Sequence, residues 1–114
     1  MTPINLILGS LIIFSAVVVI LLARPLLKGE VKMNRLYGVR MAKSFESDEA
    51  WYAMNRFGAQ RMIFWARIMI GVGLVAFFVP MTSPAVVVAF SLAPLLFCIP
   101  CLEAYRYGKT LATM

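Results

Sequence analysis

The stretch INLILGSLIIFSAVVVILLA, Ile4 to Ala23, runs for twenty residues without a charge. At about 1.5 Å of rise per helical residue it covers the roughly 30 Å hydrocarbon core of a bilayer. Met1, Thr2 and Pro3 precede it, and the first basic residues, Arg24 and Lys28, follow it. A cleavable leader has the opposite arrangement, with basic residues first and a shorter apolar core, so this run reads as a retained helix closed by Arg24-Pro25. Two more apolar runs follow: Met62 to Val79, interrupted by Arg67, and Ala85 to Leu102, which contains Pro94 and Pro100. Between them Pro80-Met81-Thr82-Ser83-Pro84 makes a tight uncharged turn, because neither proline can continue a helix.

The whole 114-residue chain is 62% hydrophobic and 14% charged, with a mean hydropathy of +0.88. A soluble domain of this size has too little interior to hide so much apolar side chain, whereas a bilayer hides it readily. The expected fold is an all-α integral membrane protein, a single membrane domain over residues 1–114. Its spans fall at about 4–23, 62–79 and 85–102, with a connecting segment over 24–61. The net charge of +6 arises mainly from that segment and the tail after the third run. Anionic lipid headgroups are the natural counter-charge for such a placement, and no recognition motif points to nucleic acid.

Charge also orients the chain. The connecting segment holds eight Lys and Arg, the tail adds Arg106 and Lys109, and the eleventh basic residue, Arg67, lies inside the second run. The N-terminus and the second turn hold none. The positive-inside rule therefore places the N-terminus outside and the C-terminus in the cytoplasm, which an odd number of spans also requires.

Small residues indicate how the spans pack. Gly9, Ala16 and Ala23 recur every seven residues, as do Ala59, Ala66 and Gly73. Seven residues is nearly two turns, so each set forms one stripe along its helix. Antiparallel helices would match Gly9 with Gly73, Ala16 with Ala66 and Ala23 with Ala59, the close approach that membrane helices favour. A third stripe, Ala85-Ala89-Ala93, is available for internal packing or for a homodimer.

In the connecting segment, Ser47 is a good helix N-cap, and Asp48 and Glu49 occupy the first turn, where the helix dipole favours anions. Trp51, Met54, Gly58, Met62 and Trp65 then recur at three- and four-residue spacing. This predicts an amphipathic helical segment leading into the second span, with Arg56 and Arg61 nearby.

The string NRLYGVRMAKSFESDEAWYAMNRFGAQ, Asn34 to Gln60, resembles the signature of the SdpI family of small bacterial membrane proteins. The matching positions are Asn34, Gly38, Arg40, Ser47, Asp48, Glu49, Trp51, Asn55, Arg56 and Gly58, placed between a first and a second span as in that family. The family is named for an immunity protein that shields a toxin-producing Bacillus from its own secreted peptide toxin. That protein also acts as a receptor, holding a cytosolic repressor at the membrane. The resemblance implies a multi-pass protein of the bacterial inner membrane. It also implies a peptide toxin and a cytosolic regulator as partners, with the ten signature residues as the binding surface. The sequence departs from many members in having Met41-Ala42 where they have Thr-Pro. It also departs from the longer members, which carry additional spans before the signature.

Two further positions are candidate site residues. Arg67 lies roughly 8 Å inside the membrane boundary, where an ionisable side chain marks a functional site unless it snorkels to the headgroups. Glu103 is the sole acid after the third run begins. Axial rise alone brings the two within about 9 Å, inside the reach of an arginine. Cys98-Ile99-Pro100-Cys101 forms a C-x-x-C placed near the end of an apolar run, where no helix N-terminus would activate a thiolate.

Histidine is absent, and no nucleophile–base pair, phosphate loop or metal cluster appears, so catalytic residues, metal ligands and cofactors are not expected. The family resemblance implies a non-enzymatic membrane immunity or receptor protein that senses or blocks a membrane-active peptide and communicates with a cytosolic partner. The alternative, an oligomeric small-solute transporter or channel subunit, has one charge at depth to work with. A redox role for the C-x-x-C is weaker still. In a Cys98→Ser/Cys101→Ser background, a membrane-impermeant maleimide should label Ser83→Cys from outside intact cells and Lys109→Cys only after the cells are opened. Labelling of both from one side contradicts three spans.

Overall fold

The computed structural model describes residues 3–111. Among the described residues four α-helices form in chain order: α1 (Pro3–Leu27), α2 (Asp48–Phe78), α3 (Pro84–Ser91) and α4 (Cys98–Thr110). Short 3-10 turns occupy Ala42–Phe45 and Ala93–Phe97. No strand occurs among the described residues. Among the described residues three helical stretches are long and apolar enough to cross a membrane: α1, α2, and α3 with α4 taken together as Pro84–Thr110.

The ends of these elements follow from local chemistry, and two differ from the sequence reading. Pro25 does not close α1; the helix continues to Leu27. A proline in the last turn forfeits only one backbone bond. The stop comes at Gly29, whose φ of 72° lies in the left-handed region. Gly29 N–H donates to the Leu26 carbonyl at 3.3 Å and Glu30 N–H to the Pro25 carbonyl at 2.9 Å, the paired bonds of a Schellman ending. At the other boundary Ser47 caps α2 as expected, its hydroxyl accepting from Ala50 N–H at 3.0 Å. From there α2 runs unbroken for 31 residues, about 46 Å at 1.5 Å per residue. The span expected at 62–79 is thus only the second part of a helix that begins fourteen residues earlier.

The third run does not stop at Leu102; helix continues to Thr110. It is interrupted at Ala93–Phe97, where Pro94 offers no N–H to the preceding turn and the backbone tightens to 3-10 geometry. Pro100 falls in the first turn of α4, where its missing donor costs little.

α1 and α2 form the spine of the molecule, packed along the two small-residue stripes. A Cβ built on Gly9 would lie 3.0 Å from the Gly73 carbonyl oxygen, and one built on Gly73 would lie 3.1 Å from that of Gly9. Ala16 and Ala66 are fully buried in one cluster with Ile12, Met69 and Ala76. Ala23 and Ala59 join Leu26 and Ile63 in a second. At the far end Asn5, a polar residue inside an apolar run, is buried, and its Nδ2 donates to the carbonyls of Ala76 at 2.7 Å and Val79 at 2.6 Å. Those carbonyls belong to the last turn of α2 and to its C-cap residue, where the helix has no donor of its own to offer them. Of the third stripe only Ala93 packs inward; Ala85 and Ala89 are exposed. Leu6, Ile7, Leu11, Phe14, Leu21 and Phe78 point outward, as lipid-facing side chains do.

The seam makes opposite demands on two neighbouring glycines. A Cβ on Gly73 would meet Ile13 Cγ1 at 2.5 Å, whereas one on Gly71 would meet nothing within 4 Å. Gly73→Ala should lower the detergent thermal stability by about 1–3 kcal/mol. Gly71→Ala should be neutral or raise it by up to about 1 kcal/mol. Equal melting shifts would contradict close packing at this point.

Candidate functional site

The loop between α1 and α2 is held to the first turns of α2 by two side chains one turn apart. Trp51 is fully buried, and its indole Nε1 donates to the Val31 carbonyl at 2.9 Å. Asn55, also buried, accepts from Val39 N–H at 2.6 Å through Oδ1 and donates through Nδ2 to the carbonyls of Trp51 at 2.9 Å and Val39 at 3.4 Å. One amide thus satisfies both backbone groups of Val39, as a neighbouring strand would.

The other signature residues shape the same loop. Asn34 Oδ1 accepts from Leu36 N–H at 2.9 Å and Tyr37 N–H at 2.7 Å, an Asx-type turn. Gly38 has a φ of 116°; a Cβ there would be strained and would meet Asn55 Oδ1 at 2.6 Å and the Trp51 ring at 3.2 Å. Gly58 lets Val39 rest on α2, since a Cβ would meet its Cγ2 at 2.5 Å. Ser47 caps the helix while Asp48 and Glu49 stand exposed in its first turn. Arg56 is exposed, its guanidinium beside Gly29.

Arg40 is exposed and donates from Nη1 to the Arg35 carbonyl at 2.5 Å. Asp48 and Glu49 form no ion pair with it; the loop's carboxylate contact is instead Lys43 to Glu46, at 2.7 Å. Among the described residues neither Arg35 nor Arg40 is paired with a carboxylate.

Glu103 has a different partner from the one that axial distance suggested. Arg61 Nη2 lies 2.9 Å from Glu103 Oε2, while Arg61 Nε and Trp65 Nε1 donate to Oε1 at 3.0 and 2.9 Å. Arg61 and Trp65, four residues apart, share one face of α2. Arg67 is six residues beyond Arg61, about 120° around the helix, and is exposed. Rise along the axis permitted an Arg67–Glu103 pair; rotation forbids it. The Arg61 guanidinium also lies over the Phe64 ring at 4.5 Å. Further toward the loop, Phe57 and Tyr107 stack with centroids 4.1 Å apart. α4 is thereby clamped to the first half of α2.

Between α1 and α4, above α2 and beneath the loop, lies an open groove of about 630 Å³. Its walls are apolar: Val19, Leu22 and Leu26 from α1, Ala59 and Met62 from α2, Pro100, Cys101 and Ala104 from α4. The loop contributes Tyr37 to Met41, Phe45 and Arg35. Burial pushes the Tyr37 phenol above its ordinary value. Arg35 and Tyr37, which the sequence reading missed as site residues, lie between signature positions and are placed by the turn that Asn34 forms. The C-x-x-C falls in the first turn of α4, not at the end of a helix, because the 3-10 segment breaks the third run just before it. Both thiols are free and exposed.

Asn55→Leu keeps the volume and removes the clamp. It should cost about 1–3 kcal/mol through the unpaired Val39 groups and speed tryptic cleavage after Lys32, Arg35 and Arg40, while the spans remain protected. Unchanged cleavage would mean that the loop is held by other contacts.

The described geometry agrees with a family comparison: the profile of the SdpI/YfhL protein family matches residues 30–102. The match begins in the loop, takes in Trp51, Asn55 and the whole of α2, and ends in the first turns of α4 at residue 102, just before Glu103. No curated protein and no solved structure matches the chain. With more than half of its length matched, and with three helices fit to cross a bilayer, the chain is a multi-pass membrane protein that belongs to the SdpI/YfhL protein family.

Proposed function

We propose that this protein is a non-enzymatic immunity or receptor protein of the bacterial inner membrane, which binds a membrane-active peptide and signals its presence to a cytosolic partner. The observation that carries the reading is the folded, cationic loop. A mere linker between two spans needs no buried tryptophan, no buried asparagine and no left-handed glycine, yet all three fix the course of this one. Fixing the loop holds Arg35 and Arg40 at the mouth of an apolar groove. An arginine there offers five donors and a permanent charge to a peptide carboxylate or carbonyl. With the N-terminus outside, the loop lies on the cytoplasmic face, where a regulator could reach it.

The signature residues then have two kinds of work. Trp51, Asn55, Gly38 and Gly58 position the loop, whereas Arg40, Asp48 and Glu49 are exposed and free to meet a partner. Truncating Trp51 should therefore act through stability, at about 3–5 kcal/mol for a large buried aromatic, and is a poor probe of recognition.

Bacteria sensitive to a membrane-active peptide should tolerate more of it when they express this chain. Arg40→Ala should abolish that protection while the protein accumulates normally in the membrane. Arg40→Lys, which keeps the charge and loses the planar fork, should lose most of it. Full protection by both variants at normal abundance would reduce the loop to a membrane anchor and overturn the assignment.

A further inference from the structure

The groove beneath the loop has a polarity gradient along its length. Val19, Leu22, Leu26 and Met62 line its apolar part, and Arg35 and Arg40 line its loop end. No carboxylate lines it, and among the described residues neither guanidinium is paired with one. The groove also opens sideways. Leu22 is 54% exposed on the outer side of α1, and α1 and α4 each pack on α2 without closing the cleft between them. In a bilayer that opening faces lipid. From Leu27, where α1 ends, to Val19 the groove descends about 12 Å into the apolar zone.

From this geometry we infer that the groove is a binding site for one anionic phospholipid, its phosphate held by Arg35 and Arg40 and the upper part of an acyl chain laid along Leu22, Leu26 and Met62. The occupant must be apolar over most of its length, reach the site from within the bilayer, and carry negative charge at the level where the apolar run ends. Those three demands describe a lipid with an anionic headgroup. The volume lies in the range of specific small-ligand pockets. The two arginines come from one short stretch whose course is set by Asn34, Gly38 and Asn55, so the phosphate would meet a preformed pair of donors. The lipid would use the same two arginines that the peptide reading invokes, but its test contains no peptide, so failure of one reading is distinguishable from failure of the other.

Cys101 lines the groove and Cys98 does not, which gives a local probe. The full chain carrying Cys98→Ser, purified in mild detergent, is labelled with a maleimide in the presence of phosphatidylglycerol, phosphatidylcholine or inorganic phosphate. Phosphatidylglycerol should slow the labelling of Cys101, and the other two should not. Native mass spectrometry should show one phosphatidylglycerol retained. Arg35→Gln/Arg40→Gln should weaken its retention about 30-fold, as expected when two basic groups near the surface are lost. Both arginines are exposed, so this variant should fold, and unchanged labelling of Cys101 in lipid-free detergent verifies it. Equal protection by phosphatidylcholine, or no protection by either lipid, would overturn the proposal. So would protection by inorganic phosphate alone, or retention that survives loss of both arginines.

Discussion

A single side-chain amide sets the architecture of the loop end. Asn55 lies at 1% exposure about two turns before the apolar part of α2, where an unpaired amide would cost several kcal/mol if left dry. Its Nδ2 reaches the Trp51 carbonyl within the helix, while Val39 presents both its N–H and its carbonyl to the amide. That demand fixes Val39, and Val39 fixes its neighbours: Gly38 must take a positive φ to pass the Trp51 ring, and Gly58 must lack a side chain to receive the valine. Trp51 supplies the second anchor at Val31. Two points of attachment are enough to turn twenty residues of connection into a surface with a defined shape, because the conformational entropy of the segment is removed at both ends of its cationic portion.

Below the loop a different force operates. Lipid offers apolar side chains no reason to leave it, so α1 and α2 associate through backbone proximity at Gly9 and Gly73 and through the alanines between the loop and that crossing. Polar contacts finish the two ends. Asn5 ties the far end of α1 to the last carbonyls of α2, and Glu103 ties α4 to Arg61 and Trp65 near the loop. The paired Arg61 and Glu103 also leave Arg67 as an exposed charge on a lipid-facing side of α2, a position from which its long side chain reaches the headgroups by snorkelling.

The features legible in the sequence were those written in one helix at a time. Three charge-poor runs, the Ser47 cap with its two acids, and the heptad spacing of small residues each report on a local period, and each appears in the structure. What the sequence left obscure depends on elements that meet only after folding. Rise along a helix can be counted, but the azimuth at which α4 meets α2 cannot, and so Glu103 was matched with the wrong arginine. Trp51 and Asn55 bond to Val31 and Val39, twenty and sixteen residues away, through backbone atoms that have no residue identity to read. The end of α1 was misplaced for the opposite reason: Pro25 is a loud local signal, and the quieter Gly29 does the stopping.

The uninterrupted course of α2 has a mechanical consequence. Residues 48 to 61 extend the apolar part of the helix as a rigid arm of about 20 Å, with no kink at the membrane boundary to absorb motion. A span that meets a thinner bilayer tilts, typically by angles of about 20°. A tilt of that size would carry the tip of the arm sideways by about 7 Å. The loop is fastened to that arm and to α1 alike, so a tilt of the pair would carry the cationic surface with it.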